Sequence, residues 1–425
     1  MNDIREVETG DTPLHIKRRT DVASHHLTFR AWLQRNLRIV SVGGVLASPF
    51  ALTASAQTVN NEYGDKFSLQ WEDDFRTDGG QLNTQLWTYF NYYGPDQEAG
   101  WVDNTGLHLE VLPGAQTGDG YGISSNAAFL FGRYKTTFYS DSESGTIQAP
   151  FLVESNYGNS LDWNEIDIEI YGDASQPTGP QQPEYTLHWG PGQPGTWLNG
   201  YGDSTYSPAL VTYIVDWTPN YIAWYRNGTL VHTDYNTSYK PGWSLNNSNG
   251  IAQGVEAQVF PQNWYFLNWV WDQAYDPQMP LDWNVKSAVQ YSLNMQSVRA
   301  IDNSGSQGFG WSVDSNGFVY VGPLNPGGWI AFDNISSTWA NISVQLSSEY
   351  SGQTIQVRTD SPTGPVIGTI VVPNTGSSTE YVLASADLSP RTSTNVFLTI
   401  PGTSSAGWLY NVYFFGTEGT SRLAG

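Results

Sequence analysis

The chain of 425 residues contains no cysteine. That absence excludes disulfides, thiolate metal sites and a thiol nucleophile, so packing alone must hold the fold. Basic residues are scarce as well, 18 Lys and Arg against 40 Asp and Glu, for a net charge of −22. Such a chain repels phosphate backbones and anionic membrane surfaces, which excludes nucleic acid as a partner and leaves a neutral polymer as the compatible ligand. Helix-forming runs are few, and beyond residue 56 no stretch is long and apolar enough to span a bilayer. What is present in quantity is Gly (43), Pro (23), Trp (18), Tyr (25) and Phe (17), set among short Thr/Ser/Val/Tyr runs broken by Gly, Asn and Pro. The pattern predicts an all-β protein made of sandwiches, and the length allows two domains, each with its own core.

The first 56 residues are different. Arg30, Arg35 and Arg38 precede the apolar stretch 39–54, which ends in Ala54-Ser55-Ala56. Basic residues, an apolar run and an A-x-A site predict a secretory signal cleaved near Ala56, with a secreted or periplasmic product. A buried N-terminal helix is the alternative, weakened by Gly43, Gly44 and Pro49. Cleavage would leave 11 basic against 35 acidic residues, a net charge near −24.

The most informative segment is Glu165-Ile166-Asp167-Ile168-Glu169, followed by Ile170, Tyr171 and Gly172. On a strand, Leu161, Trp163, Glu165, Asp167, Glu169 and Tyr171 share one face while Ile166, Ile168 and Ile170 share the other. Three carboxylates in a row repel one another and gain nothing from burial, so folding gives no reason to align them. Residues four apart on a strand have Cα atoms about 13 Å apart, and two converging Glu side chains could close that to about 5–6 Å. A retaining glycosidase requires that separation, with one carboxylate attacking the anomeric carbon and the other carrying the proton. Asp167, shorter and central, suits a helper whose charge favours a proton on a neighbouring Glu. The competing reading is a solvated edge strand with its acids on the wet face. Trp163, on the acid face where its ring could stack on a sugar, speaks against it.

Tyr213 to Trp217 and Tyr221 to Tyr225 read as a Trp-rich hairpin turning at Thr218-Pro219-Asn220, with a second turn at Arg226-Asn227-Gly228. A turn-rich break at 302–307 marks a domain boundary. The expected division is 1–56 as signal, 57–301 as the catalytic domain and 302–425 as a smaller β-sandwich.

With those residues in hand, 71–300 resembles glycoside hydrolase family 16. The likeness runs through Gly132-Arg133-Tyr134-Lys135, Gly145-Thr146-Ile147, the 163–169 segment, the Asp216–Asn220 hairpin with Trp224-Tyr225, and Leu267-Asn268-Trp269. It implies a β-jelly-roll, concanavalin-like catalytic domain with Glu165 as nucleophile, Asp167 as assisting acid and Glu169 as acid/base. Trp163, His188, Asn268, Trp269 and Trp271 would bind substrate. His188 lies in Thr186-Leu187-His188-Trp189-Gly190, and a structural role for it stays open, as does core packing for Trp269 and Trp271. The uninterrupted E-x-D-x-E spacing is similar to the lichenase and xyloglucan-active branches, which implies a β-1,4-containing glucan, mixed-linkage β-1,3-1,4-glucan first. Transglycosylation of the same polysaccharides and non-catalytic polysaccharide binding are the alternatives. No cofactor is required for this chemistry. Related sandwiches often carry a structural Ca²⁺, but no spaced ligand cluster marks a metal site here. A monomer acting on β-glucan is expected. Residues 303–425 resemble a family 6 carbohydrate-binding module through Gly328-Trp329-Ile330, the 361–368 turn and Pro373-Asn374-Thr375-Gly376. Where that family stacks a Trp on its ligand this chain has Ser377 and Ser378, and the family's ligand Asn corresponds to Leu409 or Asn411.

Overall fold

Alternation of apolar and polar residues along many short segments is what lets strands bury one face each, and the chain folds accordingly as stacked antiparallel sheets. The computed structural model describes residues 57–91, 99–140, 145–154, 162–172, 182–191, 198–202, 209–237, 254–270, 281–314, 317–350 and 352–417. The expected signal segment lies outside these, as do Trp271 and the side chain of Trp163.

The first domain is a jelly-roll sandwich. One sheet runs in the order Leu198–Gly202, Gln182–Pro191, Asp162–Tyr171, Thr146–Glu154, Gln262–Val270, Gly120–Phe129, Trp87–Asn91. The facing sheet is built around Lys66–Asp74, Leu281–Leu293, Gly132–Ser140, Ala209–Trp217, Tyr221–Arg226 and Thr229–Tyr235. Between them sits a core of large rings, with Trp87, Trp217, Trp224, Trp264, Phe266 and Trp283 all buried. Ile166, Ile168 and Ile170 join that core, as alternation requires. The expected hairpins form: Tyr213 pairs with Arg226 and Trp217 with Ile222. Asn227 and Gly228 take φ of 49° and 79°, the two positive-φ positions that an Asn-Gly turn supplies.

The acid strand Asp162–Tyr171 is not an edge. It is hydrogen-bonded on both sides, to Gln182–Pro191 and to Thr146–Glu154, which removes the solvated-edge reading.

The second domain is a β-sandwich with its own core of Ile342, Val344, Ile355, Val357, Leu398, Leu409, Phe414 and their neighbours. It begins earlier than residue 302, because Met295–Arg299 already pairs with Trp408–Thr417 of the module sheet. The turn-rich segment at 302–307 therefore lies inside the module, and the passage between sandwiches is at Asn294. The domains are joined by more than a linker. Tyr381, Leu383, Tyr413 and Phe415 of the module belong to the same apolar cluster as the catalytic core. Phe131 meets Tyr413 edge-on at 5.3 Å, and Phe260 stacks on Phe318 at 5.8 Å. Asn236 Nδ2 donates to the Leu383 carbonyl at 2.9 Å.

Candidate active site

Register builds the site. Along the acid strand every residue from Asp162 to Tyr171 pairs in unbroken sequence with Pro191 to Gln182, so Glu165, Asp167, Glu169 and Tyr171 stay on one face with no bulge. Directly opposed residues share a face. Glu165 therefore stands across from His188, Asp167 across from Thr186 and Glu169 across from Glu184. On the other flank Asp167 faces Phe151 and Glu165 faces Val153.

This face carries a second apolar cluster, separate from the sandwich core: Ile147, Ala149, Phe151, Val153, Tyr265, Leu267 and Trp269, with Phe90 and Tyr171 against it. Phe151 and Tyr265 stack at 5.0 Å. The acids thus end on an aromatic floor. All three are buried, Glu165 at 8%, Asp167 at 3% and Glu169 at 6% exposure, so their charges are held where neighbouring groups act strongly on them.

Each acid has its own surroundings. His188 Nε2 lies 3.0 Å from Asp167 Oδ2, and donor atoms of Glu165, Asp167 and His188 fall within 4.8 Å of one another. Tyr171 donates its hydroxyl to Glu169 Oε2 at 2.9 Å. Burial, then the charges of Asp167 and Glu184, hold the Glu169 carboxyl well above the usual range; the Tyr171 hydrogen bond opposes them, and Glu165 adds to the rise. Burial and then the Glu165 charge push the Tyr265 phenol up to about 12, which places that ring in the field of Glu165.

The backbone under these groups is fixed from behind. Trp224 Nε1 donates to the Asp167 carbonyl at 3.1 Å from the facing sheet. Asn164 Oδ1 accepts from the amides of Val259 and Phe260, and Gln258 Nε2 donates to the His188 carbonyl. Residues 258–260 thereby tie the ends of the two central strands together.

Of the residues expected to bind substrate, His188 and Trp269 lie on the acid face, Trp269 within the aromatic floor. Asn268 does not. Its side chain points between the sheets, fully buried, and donates to the carbonyls of Leu109 at 2.9 Å and Leu281 at 3.1 Å. The even-numbered positions of Gln262–Val270 face the core with Trp264 and Phe266, so Asn268 clamps the sandwich and has no access to a sugar. The backbone of Trp163 pairs with Gly190 in the same ladder, two residues before Glu165. In the module, Leu409 is core, and Asn411 lies on the sheet turned toward the catalytic domain, donating to Gln345 Oε1 and Tyr413 Oη.

Residues 91–284 match the sequence profile of glycosyl hydrolases family 16, and residues 299–417 match that of carbohydrate binding module (family 6). The chain carries a family 16 glycosyl hydrolase domain followed by a family 6 carbohydrate-binding module. A beta-glucanase of Paenibacillus polymyxa is 26% identical over 194 residues, covering 45% of this chain and 76% of that protein. Among solved structures, an endo-beta-1,3-glucanase from Pyrococcus furiosus aligns with a TM-score of 0.43 at 19% identity, over 56% of this chain and 98% of that one. A beta-1,3-1,4-glucanase from a mouse hindgut metagenome aligns at 0.38 and 17%, over 52% of this chain and 98% of that one. At such identities the likeness concerns the fold.

Within the family 16 domain, Glu184, Phe151 and Tyr265 join the site without having been singled out from the sequence. Glu184 was within reach: it has the parity of His188 four residues on, and so had to share its face.

Proposed function

We propose that the protein is a secreted, endo-acting, retaining β-glucanase, with a β-1,4-containing glucan, mixed-linkage β-1,3-1,4-glucan first, as its substrate. The observation that carries the reading is the bulge-free register that keeps Glu165, Asp167 and Glu169 on one buried face, where burial and the neighbouring acids raise the proton affinity of Glu169. The Paenibacillus polymyxa relative supports a β-glucan.

In this reading a glucan chain lies across the aromatic floor, where rings contact the apolar faces of pyranoses. Glu165 attacks the anomeric carbon while Glu169 passes its proton to the leaving oxygen, so the glycosidic bond breaks as the glycosyl ester forms. The ester removes the charge of Glu165 and with it one cause of the raised Glu169 affinity for a proton. Glu169 then draws a proton from water, whose oxygen attacks the same carbon and restores Glu165. Asp167, in contact with His188, stands beside both events. The double displacement uses side chains of this chain alone.

Incubation of the chain without its first 56 residues with barley β-glucan, xyloglucan, laminarin and agarose tests this reading. New reducing ends from barley β-glucan, abolished by Glu165→Gln while binding persists, are expected; four inert polymers would refute it. Export is tested by locating the chain, expected outside the cytosol with its N-terminus near Gln57.

A further inference from the structure

Glu184 is a charge that folding does not ask for. It stands directly across the sheet from Glu169, and like charges at opposed positions destabilise a strand pair. Its other neighbour in register is Gly202, which offers no side chain to compensate it. The site already contains Glu165, Asp167 and Glu169, so a fourth carboxyl adds repulsion to a buried cluster.

We propose that Glu184 is a positioning residue for proton transfer, whose carboxylate, set across the strand pair from Glu169, keeps the acid/base glutamate in its proton-bearing form through the working pH range. The inference rests on the reading of Glu169 as acid/base. Among the described residues, the titratable groups around Glu169 are Glu165, Asp167 and Tyr171 on its own strand and Glu184 and His188 on the next. On the Thr146–Glu154 strand the facing residues are Ile147, Ala149 and Phe151, none of which titrates. Burial raises the proton affinity of Glu184, and His188, the one basic side chain among these groups and engaged with Asp167, works against that rise. The charges of Asp167 and Glu184 both act on Glu169, where they follow burial as causes of its raised proton affinity. Within the strand pair Asp167 is two residues from Glu169, so Glu184 supplies the one anion at the same level of the ladder.

The test is the pH profile of kcat/KM for Glu184→Gln on the polysaccharide the enzyme cuts. Loss of the anion releases the Glu169 proton more readily, so the alkaline limb moves down by about one pH unit, or about tenfold in rate well up that limb. The acid limb, which reports Glu165, moves less. Glu184→Asp restores the limb at least in part, which a purely structural role would not do. Should Glu184→Gln fold poorly, the carboxyl of Glu169 can be titrated by ¹³C NMR in a Glu165→Gln background with and without Glu184→Thr, which removes the anion and keeps a residue suited to a strand. An alkaline limb or a Glu169 titration that stays in place overturns the proposal. Glu169→Ala separates the two failures. Rescue of that variant by azide with an immobile limb in Glu184→Gln rejects Glu184 alone, whereas absence of rescue and equal loss on dinitrophenyl glycosides reject the acid/base reading itself.

Discussion

The Tyr171 hydroxyl donates a 2.9 Å hydrogen bond to Glu169 Oε2 from two residues along the same face of one strand. That bond favours the ionised carboxylate and so works against burial and the neighbouring acids. Tyr171→Phe should therefore raise the proton affinity of Glu169 further, moving the alkaline limb of kcat/KM upward, opposite in sign to removal of Glu184. A pH–rate profile from pH 5 to 10 checks this; a downward move would contradict the assignment. The same raised affinity bears on folding. A group that binds its proton more tightly folded than unfolded stabilises fully below its unfolded pKa, and that contribution is lost as pH rises through the folded value.

His188 lies 3.0 Å from Asp167 and is itself buried. A hydrogen bond to a charged group contributes about 1.5–3 kcal/mol, so His188→Ala should lower kcat by about 10- to 100-fold. Steady-state kinetics with KM resolved separately is the measurement. A change confined to KM would make His188 a sugar contact instead.

Asp73 accepts a hydrogen bond from Trp87 Nε1 at 2.8 Å in the core. Burial first, and the adjoining Asp78 and Asp74 charges, push its carboxyl up to about 7, against the help of Trp87. Its folded value exceeds the unfolded one, so stability is present below about pH 4 and lost as pH rises through about 7. Asp73→Asn keeps an acceptor for Trp87 and removes the ionisation. Thermal melting at pH 8 should rise by a few degrees relative to the parent, and the difference should shrink as pH falls and vanish below about pH 4.

The shared apolar cluster across the domains predicts coupled unfolding. Phe415 is fully buried and belongs to the cluster that holds the catalytic core. Phe415→Ala should cost about 3–5 kcal/mol and lower the melting of both domains together. Two calorimetric transitions, of which only one shifts, would show that the sandwiches are independent.

Much of this was legible in the residues. Alternation alone placed Ile166, Ile168 and Ile170 inward and the acids outward, because a strand has no other period. Asn227-Gly228 announced its turn, since few other pairs take two positive φ values. What escaped depends on partners distant in the chain. Asn268 looked like a sugar ligand until its register set it against Leu109 and Leu281. Glu184 was not singled out in the sequence; the pairing that puts it across from Glu169 joins segments that are apart in the chain. The module boundary escaped because Met295–Arg299 pairs with residues more than a hundred positions later, which local turn signals do not record. Tyr413 and Phe415 alternate like any strand with two covered faces, and nothing local says that the cover is the other domain.

The most direct test of the account is to trap the covalent intermediate. Incubation with a 2-deoxy-2-fluoro glucan-oligosaccharide bearing an activated leaving group should add one glycosyl unit to the intact mass, and peptide mapping should place it on Glu165. A label on any other residue, or turnover with inversion at the anomeric carbon and no label, would contradict it.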